Sequence, residues 1–145
     1  VEFDGTNYQK VRGNVETLVV TRAAQTTSYT GSDRFNYNGR GITGFLNVTS
    51  NPGGAETLTL ALQVKDELGG DGYITVATSG AIAVFGAGAA STGVEVIQVY
   101  PGAVETAALS GWTTQAIEVP RSYRWLVTHS ASGAWSYTLA DCVDL

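Results

Sequence analysis

Residues 36–49 read NYNGRGITGFLNVT, and their interpretation decides the fold. The glycines at 39, 41 and 44 spell G-x-G-x-x-G, the string that opens the helix of a dinucleotide-binding unit. That unit needs a strand before the string and a helix after it. Here the preceding FNYN consists of turn formers, and the following FLNVTS is β-rich and alternates with period two. The context is inverted, so the match is accidental. A Walker-type phosphate loop is excluded too, because NGRGITG has no Lys, Ser or Thr where that loop requires them. Asn38-Gly39 reads instead as a tight turn that launches a strand. In that strand Ile42, Gly44, Leu46 and Val48 share one face, and Thr43, Phe45, Asn47 and Thr49 the other. Gly44, inside the strand, marks a bulge or a close backbone approach.

Downstream, NPGG at 51–54 is a strong turn. TLTLALQVKD follows with the clearest alternation in the chain. Leu58, Leu60, Leu62 and Val64 point inward; Thr57, Thr59, Ala61, Gln63 and Lys65 point outward. Two strands joined by so short a Pro-Gly loop predict a hairpin. Upstream, ETLVVTRA alternates as a strand. Further strands are predicted in GYITVATSG, AIAVFG, GVEVIQVYPG, WTTQAIEVP, SYRWLVTHS and WSYTLADCV. In the last of these Trp135, Tyr137, Leu139 and Asp141 share a face. AVETAALSG reads as one helical turn or an irregular loop. Turn signals recur about every ten to twelve residues, and no amphipathic helix lies between the strands, so the spacing excludes parallel βαβ units. The expected fold is all-β: an antiparallel β-sandwich, jelly-roll-like, of about eight to nine strands.

The chain has 145 residues, which suits one domain able to bury its own core. Residues 1–16 lack periodicity and read as an extended N-terminal arm; 17–145 form the sandwich domain. The charged fraction is 14%, against about a quarter in average proteins, so Thr, Ser, Asn, Gln and Gly must cover the surface. With a net charge of −5 and only 8 Lys+Arg, the chain lacks the basic footprint of a nucleic-acid binder and any attraction to an anionic membrane surface. No apolar run is long enough to span a bilayer as a helix. The single cysteine, Cys142, cannot form an internal disulfide and reads as a small apolar residue in a last strand. There is no Met, so an initiator removed or a longer precursor cut is expected.

Constellations that carry chemistry are weak. A hydrolytic triad would have to use His129, which ends a strand, and no G-x-S-x-G elbow accompanies it. Asp66, Glu67 and Asp71 around a Gly-Gly turn lack the spacing of a calcium loop and read as a solvated acidic turn. Asn47-Val48-Thr49 is a glycosylation sequon inside a predicted strand and is treated as inert. Most of Trp112, Trp125, Trp135, Tyr100, Tyr123 and Tyr137 belong in a core, with a minority available for a sugar platform or an interface. The reading is of a non-enzyme with no catalytic residue, no metal and no cofactor.

The N-G-R-G turn before F-x-N-V-T, the L-x-L-x-L-Q-x-K-D strand, V-Y-P-G, and P-R-x-Y-R-W-x-V-T-H together resemble small all-β proteins encoded among the head genes of tailed bacteriophages, which are similar to capsid decoration, or cement, proteins. The resemblance spans roughly residues 36–140 and brings no motif for shell-binding residues. It implies a structural virion protein that binds the outer surface of a mature phage capsid and stabilises it, made in the bacterial host cytoplasm and carried on the capsid exterior. The implied partner is the major capsid protein, with a homo-oligomer, dimer or trimer, on the shell, and with neither nucleic acid nor membrane. Few lysines guard the strand edges, which also favours an oligomer or a shell-bound state. The arm offers Phe3, Tyr8 and Val11 as apolar anchors, with Lys10 and Arg12 to pair with acidic capsid groups. The alternatives are a phage tail or baseplate component, or a carbohydrate-binding module.

Overall fold

The structure, a computed structural model, describes residues 2–3, 8–9, 15–37, 39–53, 55–66, 69–70, 72–83, 93–106, 111–119 and 121–144. These contain thirteen strands and no helix. They are β1 (Glu2–Phe3), β2 (Tyr8–Gln9), β3 (Val15–Gln25), β4 (Tyr29–Thr30), β5 (Arg34–Phe35), β6 (Gly41–Ser50) and β7 (Thr57–Lys65). There follow β8 (Tyr73–Thr78), β9 (Ile82–Ala83), β10 (Gly93–Val99), β11 (Trp112–Gln115), β12 (Ser122–His129) and β13 (Trp135–Asp144).

Two sheets pack face to face. The first has the order β11-β10-β6-β13-β3. In the second, β12 and β7 are central, with β4 and β5 along the free side of β12 and β8 and β9 along the free side of β7. The pairing is nested: β3 with β13, β4 and β5 with β12, β6 with β10, and β7 with β8 and β9. All these pairs are antiparallel. The exception is β10 with β11, which run parallel. Residues 100–111 connect them, about the dozen residues a parallel return requires. The sandwich is therefore mixed where the alternation predicted only antiparallel pairs.

The two-residue alternation fills the space between the sheets. Ile42, Leu46, Val48, Ile97, Val99 and Leu139 come from the first sheet. Leu58, Leu60, Leu62, Tyr123, Trp125 and Val127 come from the second. The faces predicted for β6 and β7 hold, but the predicted hairpin between them does not. β6 pairs with β10 and β13, and β7 pairs with β12, β8 and β9. The stretch 51–54 carries the chain from one sheet to the other, so the leucines of β7 face the inward residues of β6 across the core. Alternation identifies the buried face of each strand; it cannot identify the neighbour.

Gly44 has the close approach the sequence implied, and the approaching group is a side chain. A Cβ there would strike the six-membered ring of the Trp125 indole. At the N-terminal end, β1 and β2 form a short antiparallel ribbon with Phe3 opposite Tyr8. The first long strand begins at Val15, two residues before the expected boundary, where Val15 pairs with Val143. On β3, register shifts against β13 leave Val19 unpaired and set Ala23 and Ala24 opposite Ser136, with Ala24 at φ 49°. Such bulges twist an edge strand away from further pairing.

Candidate functional site

The inward positions of β13 alternate Trp135, Tyr137, Leu139 and Asp141. The last places a carboxylate, 1% exposed, at a core position. A buried carboxylate is costly unless it is paired and hydrogen-bonded, and Asp141 is both. Arg34, from β5, donates from Nη2 to Oδ1 at 2.7 Å. Its Nε lies 2.6 Å from Oδ2 in ion-pair contact, though off the hydrogen-bond axis. Trp125 Nε1 donates to Oδ2 at 3.0 Å, and the Tyr123 hydroxyl donates to it at 3.1 Å. Burial, then the Asp141 charge, push the Tyr123 phenol up to about 12. Burial works against the Arg34 charge, but Tyr123 and Asp141 outweigh it and raise the guanidinium pKa.

This network floors an open cavity of about 390 Å³ lined by Thr17, Asp33, Phe35, Tyr37 and Val143 together with Arg34 and Tyr123. Its exposed lining is aromatic. Phe35 and Tyr37 are 52% and 70% exposed, and their rings stack at 6.1 Å and 28°. Arg121 lies 5.6 Å above the Tyr37 ring. On the adjoining outer face of the second sheet, Arg124 sits 3.5 Å from the Tyr73 ring centroid and donates to Gln63 at 2.8 Å. The Tyr73 hydroxyl donates to Asp33, which also faces Lys65 at 3.4 Å. The Tyr73 hydrogen bond holds the Asp33 carboxyl below its usual range, and the same bond raises the Tyr73 phenol.

The turn of the opening motif closes this end of the sandwich. The Asn36 side chain brackets Gly39, accepting its N–H at 2.7 Å and donating to its C=O at 2.9 Å. Asn36 N–H donates to Arg121 C=O at 2.8 Å, and Arg40 N–H to Asp144 C=O at 2.7 Å. A Cβ at Gly39 would collide with Val143. The loop that resembled a phosphate cradle thus anchors the strand ends around the cavity.

His129 lies at the far end of β12 from Tyr123, about 20 Å away at ~3.3 Å per residue. It cannot form a dyad with Asp141. Its ring meets Tyr137 at 5.9 Å and Trp135 at 6.4 Å, and neither ring nitrogen has a hydrogen-bond partner. Burial lowers its pKa; Glu56 opposes this in part and Arg22 adds to it. Of the acidic turn, Glu67 and Asp71 lie outside the described residues, and Asp66 accepts the N–H of Gly69 at 2.8 Å. Among the described residues no group of three or more His, Cys, Asp or Glu is placed to hold a metal ion.

Of the arm residues offered for shell binding, Lys10, Val11 and Arg12 lie outside the described residues. Phe3 and Tyr8 are described only by their backbone pairing. The arm enters β3 at Val15, beside Val143 and two residues from Thr17, so it joins the domain at the rim of the cavity. Sequence reasoning missed Arg34, Asp141, Tyr123 and Trp125 as a unit. The available signal was a charged residue at an inward position of an otherwise apolar alternation. No family model matches the chain, and neither the curated proteins nor the solved structures contain a match.

Proposed function

We propose that the chain is a structural virion protein, a decoration protein that binds the outer surface of a mature phage capsid and stabilises it. The reading rests on the resemblance of the strand and turn motifs over residues 36–140 to that class. One structural observation carries it further. The root of the N-terminal arm, the exposed Phe35–Tyr37 pair and Arg121 meet at one end of the sandwich. Aromatic and arginine side chains are the groups that anchor interfaces, and an arm springing from the same rim can add main-chain pairing. The nested strand pairing also supports a jelly-roll arrangement, a common architecture of virion proteins. Asp141 accepts from three side chains, and it acts here as the strut that fixes this end.

A protein that binds only the assembled shell shifts the equilibrium toward that shell by mass action. The partner is then the major capsid protein, met by many copies on the capsid exterior. Co-sedimentation of the purified chain with shells stripped of it tests the reading. Saturable binding that raises the temperature of shell disruption is the expected result; no binding by the full chain overturns it. Deleting residues 1–14 should abolish binding and leave the circular dichroism of the domain unchanged. Immunogold labelling of virions separates heads from tails, and labelling confined to tails would favour a tail or baseplate component. The exposed aromatic pair also favours a second reading, a carbohydrate-binding surface, which quenching of aromatic fluorescence by glycans would reveal.

A further inference from the structure

The two sandwich faces that point away from the core differ in chemistry. The outer face of the second sheet bears the polar ladder of Arg124, Gln63 and Thr75 beside Tyr73, Lys65 and Asp33. The outer face of the first sheet bears an apolar row that crosses all five strands in register. Leu18 pairs with Ala140, Ala140 with Phe45, Phe45 with Val96, and Val96 with Trp112. Residues directly opposite one another in a ladder share a face. None of these five belongs to the core cluster or is packed against it, as expected of side chains on the other side of the sheet. Leu18 is 60% exposed and Trp112 48% at the two ends of the row, Phe45 and Ala140 are half-buried, and Val96, between Phe45 and Trp112, is 6% exposed.

The flanking rows are uncharged. On one side Thr21 pairs with Thr138, Thr138 with Asn47 and Asn47 with Val94, which is 52% exposed. On the other, Cys142 pairs with Thr43, Thr43 with Gln98 and Gln98 with Thr114. Among the described residues, charge on this face appears at the margin, where the Thr43 hydroxyl donates to Asp144 at 3.0 Å. On a chain of net charge −5, a sheet face whose central rows are uncharged lets a second copy approach with little like-charge repulsion.

We propose that this face is a self-association surface, on which two copies stack sheet on sheet about a two-fold axis with stripe against stripe. Strands about 4.8 Å apart and rows about 6.6 Å apart give roughly 500 Å² per copy, about 1,000 Å² in all, which reaches the lower bound for a specific interface. Two twisted sheets packed this way cross at about 30° and lie about 10 Å apart, as they do inside a sandwich. The inference stands independently of the shell-binding reading, because it needs no shell.

Analytical ultracentrifugation of the full chain between about 1 and 500 µM tests it. The expected species is a dimer of twice the 15.2 kDa chain mass. Leu18→Lys with Trp112→Lys should weaken association at least tenfold while far-UV dichroism and melting temperature are retained. Val94→Lys, at an exposed position of the same face, provides a second variant if the first pair misfolds. Ile74→Lys, 58% exposed on the other sheet, should leave association unchanged. A wild-type chain that stays monomeric throughout, or a dimer that the charged variants leave intact, overturns the proposal. A monomer whose Lys variants lose shell affinity would assign the face to the shell and overturn it equally.

Discussion

Gly44→Ala isolates the contact that the opening motif was built for. The φ of Gly44 is outside the left-handed region, so Ala can adopt its backbone, and loss of unfolded-state freedom alone would stabilise by about 0.4–1 kcal/mol. The objection is steric. The new Cβ would strike Trp125 at Cη2, Cζ2 and Cζ3, all in its six-membered ring. Trp125 is fully buried and its Nε1 is tied to Asp141 at 3.0 Å, so it cannot give way without breaking that bond. Overpacking costs about 1–3 kcal/mol, and loss of a hydrogen bond to a charged group about 1.5–3 kcal/mol. The net destabilisation is about 2–5 kcal/mol, or about 5–15 °C in melting temperature for a chain of this size. Urea denaturation followed by tryptophan fluorescence measures it. Repeating the substitution in a Trp125→Phe background should reduce its cost to below about 1 kcal/mol, because the colliding ring is gone. A cost below about 0.5 kcal/mol, or one that Trp125→Phe leaves unchanged, would refute the assignment of Gly44 to this contact.

Arg34→Ala should destabilise by about 3 kcal/mol, since it strands the Asp141 charge in the core, and Arg34→Met with Asp141→Leu should not recover the loss, because it leaves the Tyr123 and Trp125 donors buried without an acceptor; chemical denaturation of the single and double variants checks both. The folded His129 pKa lies below its unfolded value, so its contribution is complete above about pH 6.5 and disappears as pH falls through the lower folded value. Stability should therefore drop from pH 7 toward pH 5, and His129→Phe should flatten that slope in melts across the range. Tyr123 and Tyr137 are both pushed up to about 12, chiefly by burial, and Tyr73 is raised by its bond to Asp33, so three of the seven tyrosines should ionise late in a 295 nm titration, and stability should decline above about pH 10 as unfolding releases those protons. Phe35→Ser with Tyr37→Ser should change stability by less than about 0.5 kcal/mol, because both rings are exposed, yet weaken shell binding measured by co-sedimentation.

Strand faces were legible because alternation is a local property: Leu58, Leu60 and Leu62 could face only one way. Partners were not, because pairing is decided by which buried faces meet across the core. The loop at 51–54 looked like a hairpin turn by composition and is a crossover by geometry. The Arg34–Asp141 contact joins residues 107 positions apart, and no periodicity carries such information. Phe35 and Tyr37 were hidden in a stretch of turn formers, where an aromatic residue has no pattern to violate. The apolar stripe from Leu18 to Trp112 is likewise invisible along the chain, since its members come from five separate strands and align only once the registers are set.

The nested pairing has a kinetic consequence. β13 lies between β6 and β3 in the first sheet, and its ladder with β3 joins positions more than a hundred residues apart, as Val143 does with Val15. Until β13 leaves the ribosome, β6 keeps an open edge and β3 has no partner in its sheet. Loop closures of this length are slow, and open edges invite pairing with another chain. During synthesis the second sheet is complete first, with β12 in hand. The whole domain then waits on its last ten-residue strand, so a ribosome stalled before Trp135 would hold a half-built sandwich poised to aggregate.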